Sequence, residues 1–300
     1  MSITCPIHNT ESCIKSYKKF SKDYIINMYK DSLNIDVSEY FNKLEVITLY
    51  KCKETQYCFF APPELMGDSK FYEQISKNKW YYSTLKWENY QSIKWLSSDD
   101  KVLEIACGNG DFIKEASKKV KYCVGFDINA KPLKNEKIEI LNSDYITFFQ
   151  KNTTLFDVII AFQFLEHIYN VNEFFKLVKD SLKTNGKLIL AVPDNKSIIV
   201  KNEGSTNYPP HHMGWWTKRS LKKTCEYFGF RILYLKTEPL DKNYVNIKHN
   251  INVQNIVRKF ANKGEIIYKR KIIFKFFDFL YFRFPKLFKG HSFIIIAEKI

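Results

Sequence analysis

The chain has 300 residues, 45% of them hydrophobic and 26% charged, enough for one large α/β domain with appended segments or for two modest domains. Its longest apolar runs, such as Phe293 to Ala297, are far too short to cross a bilayer, and Met1 to Thr10 lacks the basic-then-apolar order of a secretory signal. The formal net charge of +15 invites a nucleic-acid reading, but only five of the 47 basic residues are arginine, the side chain that grips phosphate and guanine bidentately.

Taken in chain order, Ser2 to Tyr57 is polar, lysine-rich and only loosely periodic, and Phe59 to Pro63 interrupts it. Lys70 to Trp95 recovers helical spacing, with Phe71, Ile75, Tyr82, Leu85 and Trp95 as candidate buried positions. From Asp99 the pattern predicts strands at Val102 to Ala106, Tyr122 to Phe126, Ile138 to Leu141, Phe156 to Phe162, Lys187 to Val192, Phe230 to Leu235 and Ser292 to Ala297. Helices are expected at Asp111 to Lys119, Val171 to Leu182 and Leu221 to Phe228, with a turn at Asn185-Gly186. Such alternation reads as an α/β fold, a doubly wound Rossmann-like sheet of seven strands. The expected organisation is an N-terminal segment and helical lid over 1–98, a core over 99–237 plus 291–300, and a basic aromatic insertion over 238–290. The cysteines are odd in number, and Cys107 and Cys123 fall on predicted strands, which argues against a disulfide framework and for a cytoplasmic location.

The strongest chemical signal is Lys101-Val-Leu-Glu-Ile-Ala-Cys-Gly-Asn-Gly-Asp111, a buried strand running through glycines into a helix. Glycines allow a sharp turn and let a ligand lie against bare backbone, at the carboxyl ends of strands where ligands of such sheets sit. A dinucleotide fingerprint needs glycine three residues after Gly110, and Ile113 stands there. The constellation resembles the class I S-adenosylmethionine-dependent methyltransferases, over roughly Asp99 to Leu235 and again at the closing strand. Leu103 to Gly110 matches their first motif, with Ala106 replacing the usual first glycine. The resemblance implies S-adenosylmethionine as cofactor, held by Glu104, Ala106, Gly108, Gly110, Asp127, Ile128, Asp144, Tyr145 and Gln163. In that reading Asp127 takes the ribose hydroxyls, Asp144 the adenine amino group, and the segment Phe162 to Ile168 lines the methionine end. Plainer readings stand beside these: Asp127 as a solvated loop acid, Asp144 as a helix N-cap, Glu166 and His167 as the start of a helix.

A hydroxyl acceptor must lose a proton near the transition state, which suits histidine. Of His167, His211, His212 and His291, the segment Pro209 to Thr217 resembles the family's histidine-plus-aromatics stretch with His212 in phase, so His212 and His167 are the catalytic candidates. Certain related enzymes bind a divalent metal through Glu-x-x-Glu-His after the fourth strand; Gln163 replaces the first Glu, and no metal is expected there. Cys5-x-x-His8 with Cys52 and Cys58 is similar to the zinc-binding N-terminal segment of certain sugar methyltransferases. Here five residues rather than two separate the second pair, and one position is histidine, so no metal is assigned. Lys79 to Glu88 is expected to form a lid.

Thr217 to Ile300 carries 19 basic and six acidic residues, a local basic surface suited to an acidic substrate or a lipid rather than to nucleic acid. The layout is similar to bacterial surface-glycan methyltransferases, which implies a phosphorylated small-molecule or glycan acceptor, such as a nucleotide-linked sugar, and allows peripheral membrane contact. The alternatives are an RNA methyltransferase and a non-catalytic cofactor-binding module.

Overall fold

A computed structural model describes residues 3–78, 81, 85–197, 200, 204–239 and 289–300. Two sheets organise it. The smaller has the order β1 (Ile14–Ser21), β2 (Val46–Cys52), β3 (Cys58–Ala61) and β10 (Gly214–Trp215), with every neighbouring pair antiparallel. The lysine-rich N-terminal stretch was not expected to hold strands. β1 reads IKSYKKFS and is exposed over most of its length, so it carries almost no apolar alternation. Lysine along an edge strand blocks further pairing, and the same lysines hide the strand from a hydrophobicity reading. β10 belongs to the range 99–237, so the N-terminal segment and the core share this sheet.

Helix α1 (Lys22–Leu33) crosses the small sheet. The Ser21 side chain caps it by accepting from Tyr24 N–H, and it ends at Asn34 in the left-handed region. Its buried residues Ile25 and Tyr29 join Phe41, Leu49, Phe60, Phe71 and Met213 in one apolar cluster. Phe71 comes from α2 (Ser69–Ile75), capped by Asp68; α3 (Trp87–Ile93) follows.

The large sheet has the order β11-β12-β9-β8-β4-β5-β7-β6. Its members are β4 (Lys101–Ile105), β5 (Tyr122–Asp127), β6 (Leu133–Lys134), β7 (Ile138–Asn142), β8 (Phe156–Phe162), β9 (Leu182–Pro193), β11 (Phe230–Pro239) and β12 (Lys289–Lys299). β7, β5, β4, β8 and β9 run parallel, and β12 inserts antiparallel between β9 and β11. Eight strands replace the expected seven because the two-residue β6 pairs antiparallel with the edge of β7. The central strands are continuous apolar runs because both faces are covered. Alternate residues divide between two clusters: Leu103, Ile105, Ile159 and Leu190 face α6 (Val171–Ser181), while Val102, Val158, Ile160 and Ile189 face α4 (Asp111–Ala116). α5 (Tyr145–Lys151) and α7 (Lys218–Tyr227) complete the layers. The expected Asn185-Gly186 turn is an irregularity inside β9, whose pairing with β8 slips between Phe156 and Val158 while Asn185 takes φ 60°. Most of the basic insertion (240–288) lies outside the described residues, as do Lys79, Trp80 and Tyr82 of the expected lid.

Candidate active site

The carboxyl end of β4 turns sharply: Ala106, Gly108 and Gly110 take φ values of 56°, 53° and 72°. At Ala106 this costs about 1 kcal/mol that a glycine would spare. Gly110, which precedes α4, is fixed twice over, since a Cβ there would lie 2.3 Å from Ile140 Cδ1. Asp127 closes β5 next to this turn. Its Oδ2 accepts from Gly108 N–H at 3.1 Å and its Oδ1 from Asn129 N–H at 2.8 Å. Burial raises its pKa, and those two amides pull the other way. Glu104 is buried on β4, and its Oε2 has no hydrogen-bond partner among the described residues. Burial first, then Asp127 and Asp111, push its carboxyl well above the usual range.

Asp144 is the N-cap of α5, with Oδ1 accepting from Thr147 N–H at 3.0 Å and Oδ2 from Thr147 Oγ1 at 2.6 Å. Each oxygen keeps a second lone pair for a ligand. Those two bonds hold its pKa down. Beside it, Ile128 is exposed and Tyr145 half-buried, edge-on to Phe164. Gln163, at φ 50°, directly follows β8. Its Nε2 donates to Glu88 Oε1 at 3.2 Å and to Ser292 Oγ at 3.0 Å, so both amide hydrogens tie β8 to α3 and β12. Glu88, buried on α3, has no sequence signal of its own: only the fold brings it to Gln163.

The histidines converge. His167, His211 and His212 place their ring nitrogens within 4.8 Å of one another, a spacing that also suits a metal ion. His167 lies edge-on to His211 and His212 at 4.5 and 4.9 Å between ring centroids, and His211 stacks on His212. His167 Nδ1 is 2.8 Å from the carbonyl oxygen of His211, and His211 Nδ1 is 3.0 Å from that of Thr206. A carbonyl only accepts, so both Nδ1 atoms carry the proton and both Nε2 atoms present lone pairs. Burial lowers the pKa of His167 to about 4 and those of His211 and His212 well below the ordinary value, so all three are neutral at pH 7. The Tyr29 hydroxyl, from the far N-terminal helix, sets the loop: it donates to Tyr208 O at 2.8 Å and accepts from His211 N–H at 3.3 Å. Tyr72 and Tyr81 pack against His211, and Tyr72 also against His167. His291 stands by Glu238, whose Oε2 takes its N–H at 3.1 Å.

A parallel sheet with this strand order, a glycine turn after its first core strand and an acid ending the second defines an S-adenosylmethionine-dependent methyltransferase. The chain belongs to the methyltransferase-domain family, whose model matches residues 82–235. Among solved structures it is similar to an S-adenosylmethionine-dependent methyltransferase from Archaeoglobus fulgidus, at 20% identity over 70% of this chain and 90% of that one, with a TM-score of 0.47. A counterpart from Methanosarcina mazei shows 18% identity over 73% and 99% of the two chains, TM-score 0.43. The plantazolicin methyltransferase BpumL, solved with SAH, shows 15% identity over 71% and 80%, TM-score 0.41. No curated protein sequence matches the chain.

The residues present fit the cofactor. S-adenosylmethionine carries an ammonium and hydroxyls that donate hydrogen bonds, and the buried Oε2 of Glu104, unpartnered among the described residues, is an acceptor in need of such a donor. The Gly108 to Gly110 turn supplies backbone with no side chain in the way.

Proposed function

We propose that the protein methylates a hydroxyl of a phosphorylated, sugar-like acceptor, such as a nucleotide-linked sugar of surface-glycan biosynthesis. The observation that carries a hydroxyl acceptor is His167: buried, neutral, and fixed in the tautomer whose Nε2 can take a proton. The basic balance of Thr217 to Ile300 supports a phosphorylated acceptor, and the scarcity of arginine weighs against RNA.

S-adenosylmethionine, when bound, supplies a methyl group on a positively charged sulfur, open to in-line displacement. Asp127, Asp144, Glu104 and the Gly108 to Gly110 turn hold and orient it. His167 Nε2 takes the acceptor's proton as the new oxygen–carbon bond forms, and His212 flanks it as the second candidate base. The Glu166 carboxylate, 4.0 Å from His167 Nε2, favours the imidazolium that results. Tyr72 and Tyr81 exclude water from the histidine side.

The test is transfer of labelled methyl from S-adenosylmethionine to a panel of nucleotide sugars, with total RNA as the competing acceptor. Label in a sugar hydroxyl is expected. Label confined to RNA would overturn the acceptor class, and tight cofactor binding with no transfer to any acceptor would point to a binding module.

A further inference from the structure

We propose a second site, separate from the histidine cluster: Cys5, Cys13 and Cys52 form a thiolate site for a structural zinc ion. Their sulfurs all lie within 4.8 Å of one another, and all three side chains are buried. Tetrahedral zinc with bonds of about 2.3 Å to sulfur places its ligand sulfurs about 3.8 Å apart, inside that limit. The three residues come from distant parts of the chain, two from the loop before β1 and one from the end of β2.

Proximity alone would also describe three apolar thiols in a core. The backbone says otherwise. The Thr55 N–H is turned on Cys52 Sγ at 3.4 Å. An N–H aimed at a sulfur favours a thiolate, and a buried thiolate needs a cation. A disulfide could join only two of the three and would leave the third sulfur behind. His8, three residues after Cys5, has a buried Nε2 with no hydrogen-bond partner among the described residues, 3.5 Å from Glu54 Oε2, which makes it a candidate for the fourth position.

The set weighed from the resemblance, with no metal assigned, was Cys5, His8, Cys52 and Cys58. Cys58 instead packs on the other face of the small sheet, in the cluster of Phe60 and Met213, while Cys13 completes the trio. The surroundings suit a structural ion. Asn172, at the start of α6, donates from its backbone N–H to Pro6 O at 2.8 Å and from Nδ2 to Ile7 O at 2.7 Å; Lys223 of α7 donates to Glu54 O at 2.8 Å. Both loops of the site are thus pinned to the core, and the ion would lock the small sheet onto it. Binding converts three thiols to thiolates and releases three protons to solvent.

The test is metal analysis of the full-length protein, expressed with added zinc and purified without chelator. About one zinc ion per chain is expected, lost in Cys13→Ser and kept in Cys58→Ser, with cobalt exchange producing a sulfur-to-cobalt charge-transfer band. Because Cys13→Ser could fail to fold, the wild-type stoichiometry and the release of zinc by a mercurial reagent are read independently. Wild-type protein without zinc, a Cys5–Cys13 disulfide found by mass spectrometry, or zinc lost equally in Cys58→Ser would each overturn the site.

Discussion

At the scale of single residues, Asp127 does two jobs that a sequence motif shows as one. It is proposed to receive ribose hydroxyls, and it fastens Gly108 and Asn129 through their amides. Asp127→Ala is therefore expected to weaken S-adenosylmethionine binding by about 1.5–3 kcal/mol by calorimetry, while Asp127→Asn, which keeps one acceptor oxygen, loses less. His167 makes a prediction in pH. Its pKa is about 4 in the folded protein and 6.5 in the unfolded chain, so between these values the unfolded chain binds more protons. Its contribution is unchanged above about pH 6.5 and is lost as pH falls toward 4, amounting to about 2 kcal/mol at pH 5. Glu104 and Asp127, with raised pKa values, act in the opposite direction, so the comparison is with His167→Gln: the variant's melting temperature should fall less than the wild type's between pH 7 and 5. Equal falls would show that His167 is not buried neutral. Turnover separates the two candidate bases. His167→Ala should cut it by about 10²–10⁴-fold with cofactor affinity intact; the same loss confined to His212→Ala would transfer the role to His212.

At the scale of elements, the core strands were legible because each is a short apolar run between polar turns. β8, reading FDVIIAF, is the plainest example. The places of Asp127 and Asp144 were legible for the same reason, since one ends a predicted strand and the other follows one by a few residues. β1 was not, because its lysines face solvent along an edge. Nor was the histidine cluster as a unit: its loop is set by Tyr29, some 180 positions away (the 182 from Tyr29 to His211), and no local pattern encodes a contact of that range. β10 shows how the elements lean on one another. Gly214 pairs with Phe59, and its N–H and that of Met213 both bond Glu166 O, at 3.0 and 2.8 Å. A Cβ at Gly214 would lie against the Tyr57 hydroxyl, which is buried without a hydrogen-bond partner among the described residues. Gly214→Ala should destabilise by about 1–3 kcal/mol through overpacking and lower turnover by moving His212. Tyr57→Phe, which removes the clashing oxygen at little cost, should recover part of both in the double variant; denaturant midpoints and initial rates together check this.

At the scale of the whole molecule, the N-terminal residues are built into the enzyme rather than laid over it. One apolar cluster joins Cys5, Ile7, Tyr57 and Phe59 from the N-terminal segment to Leu165, Ile168, Trp216 and Leu221 from the core. Tyr57 stacks on Trp216 with ring centroids 4.0 Å apart, and both are fully buried. Removing residues 1–61 would strip one wall from that cluster and leave β10 without its partner strand. Each large apolar side chain returned to water costs about 1.5–3 kcal/mol, so a few of them consume the roughly 5–15 kcal/mol that holds a typical domain. A fragment of residues 62–300 is thus expected to be insoluble or to unfold without a cooperative transition, followed by circular dichroism against temperature. A separable lid makes the opposite forecast: a soluble fragment, a sharp melt, wild-type affinity for S-adenosylmethionine, and loss of turnover alone. That outcome would mean that the core sheet closes its own apolar face without the N-terminal strands, and the shared cluster would then be a docking contact instead of a core.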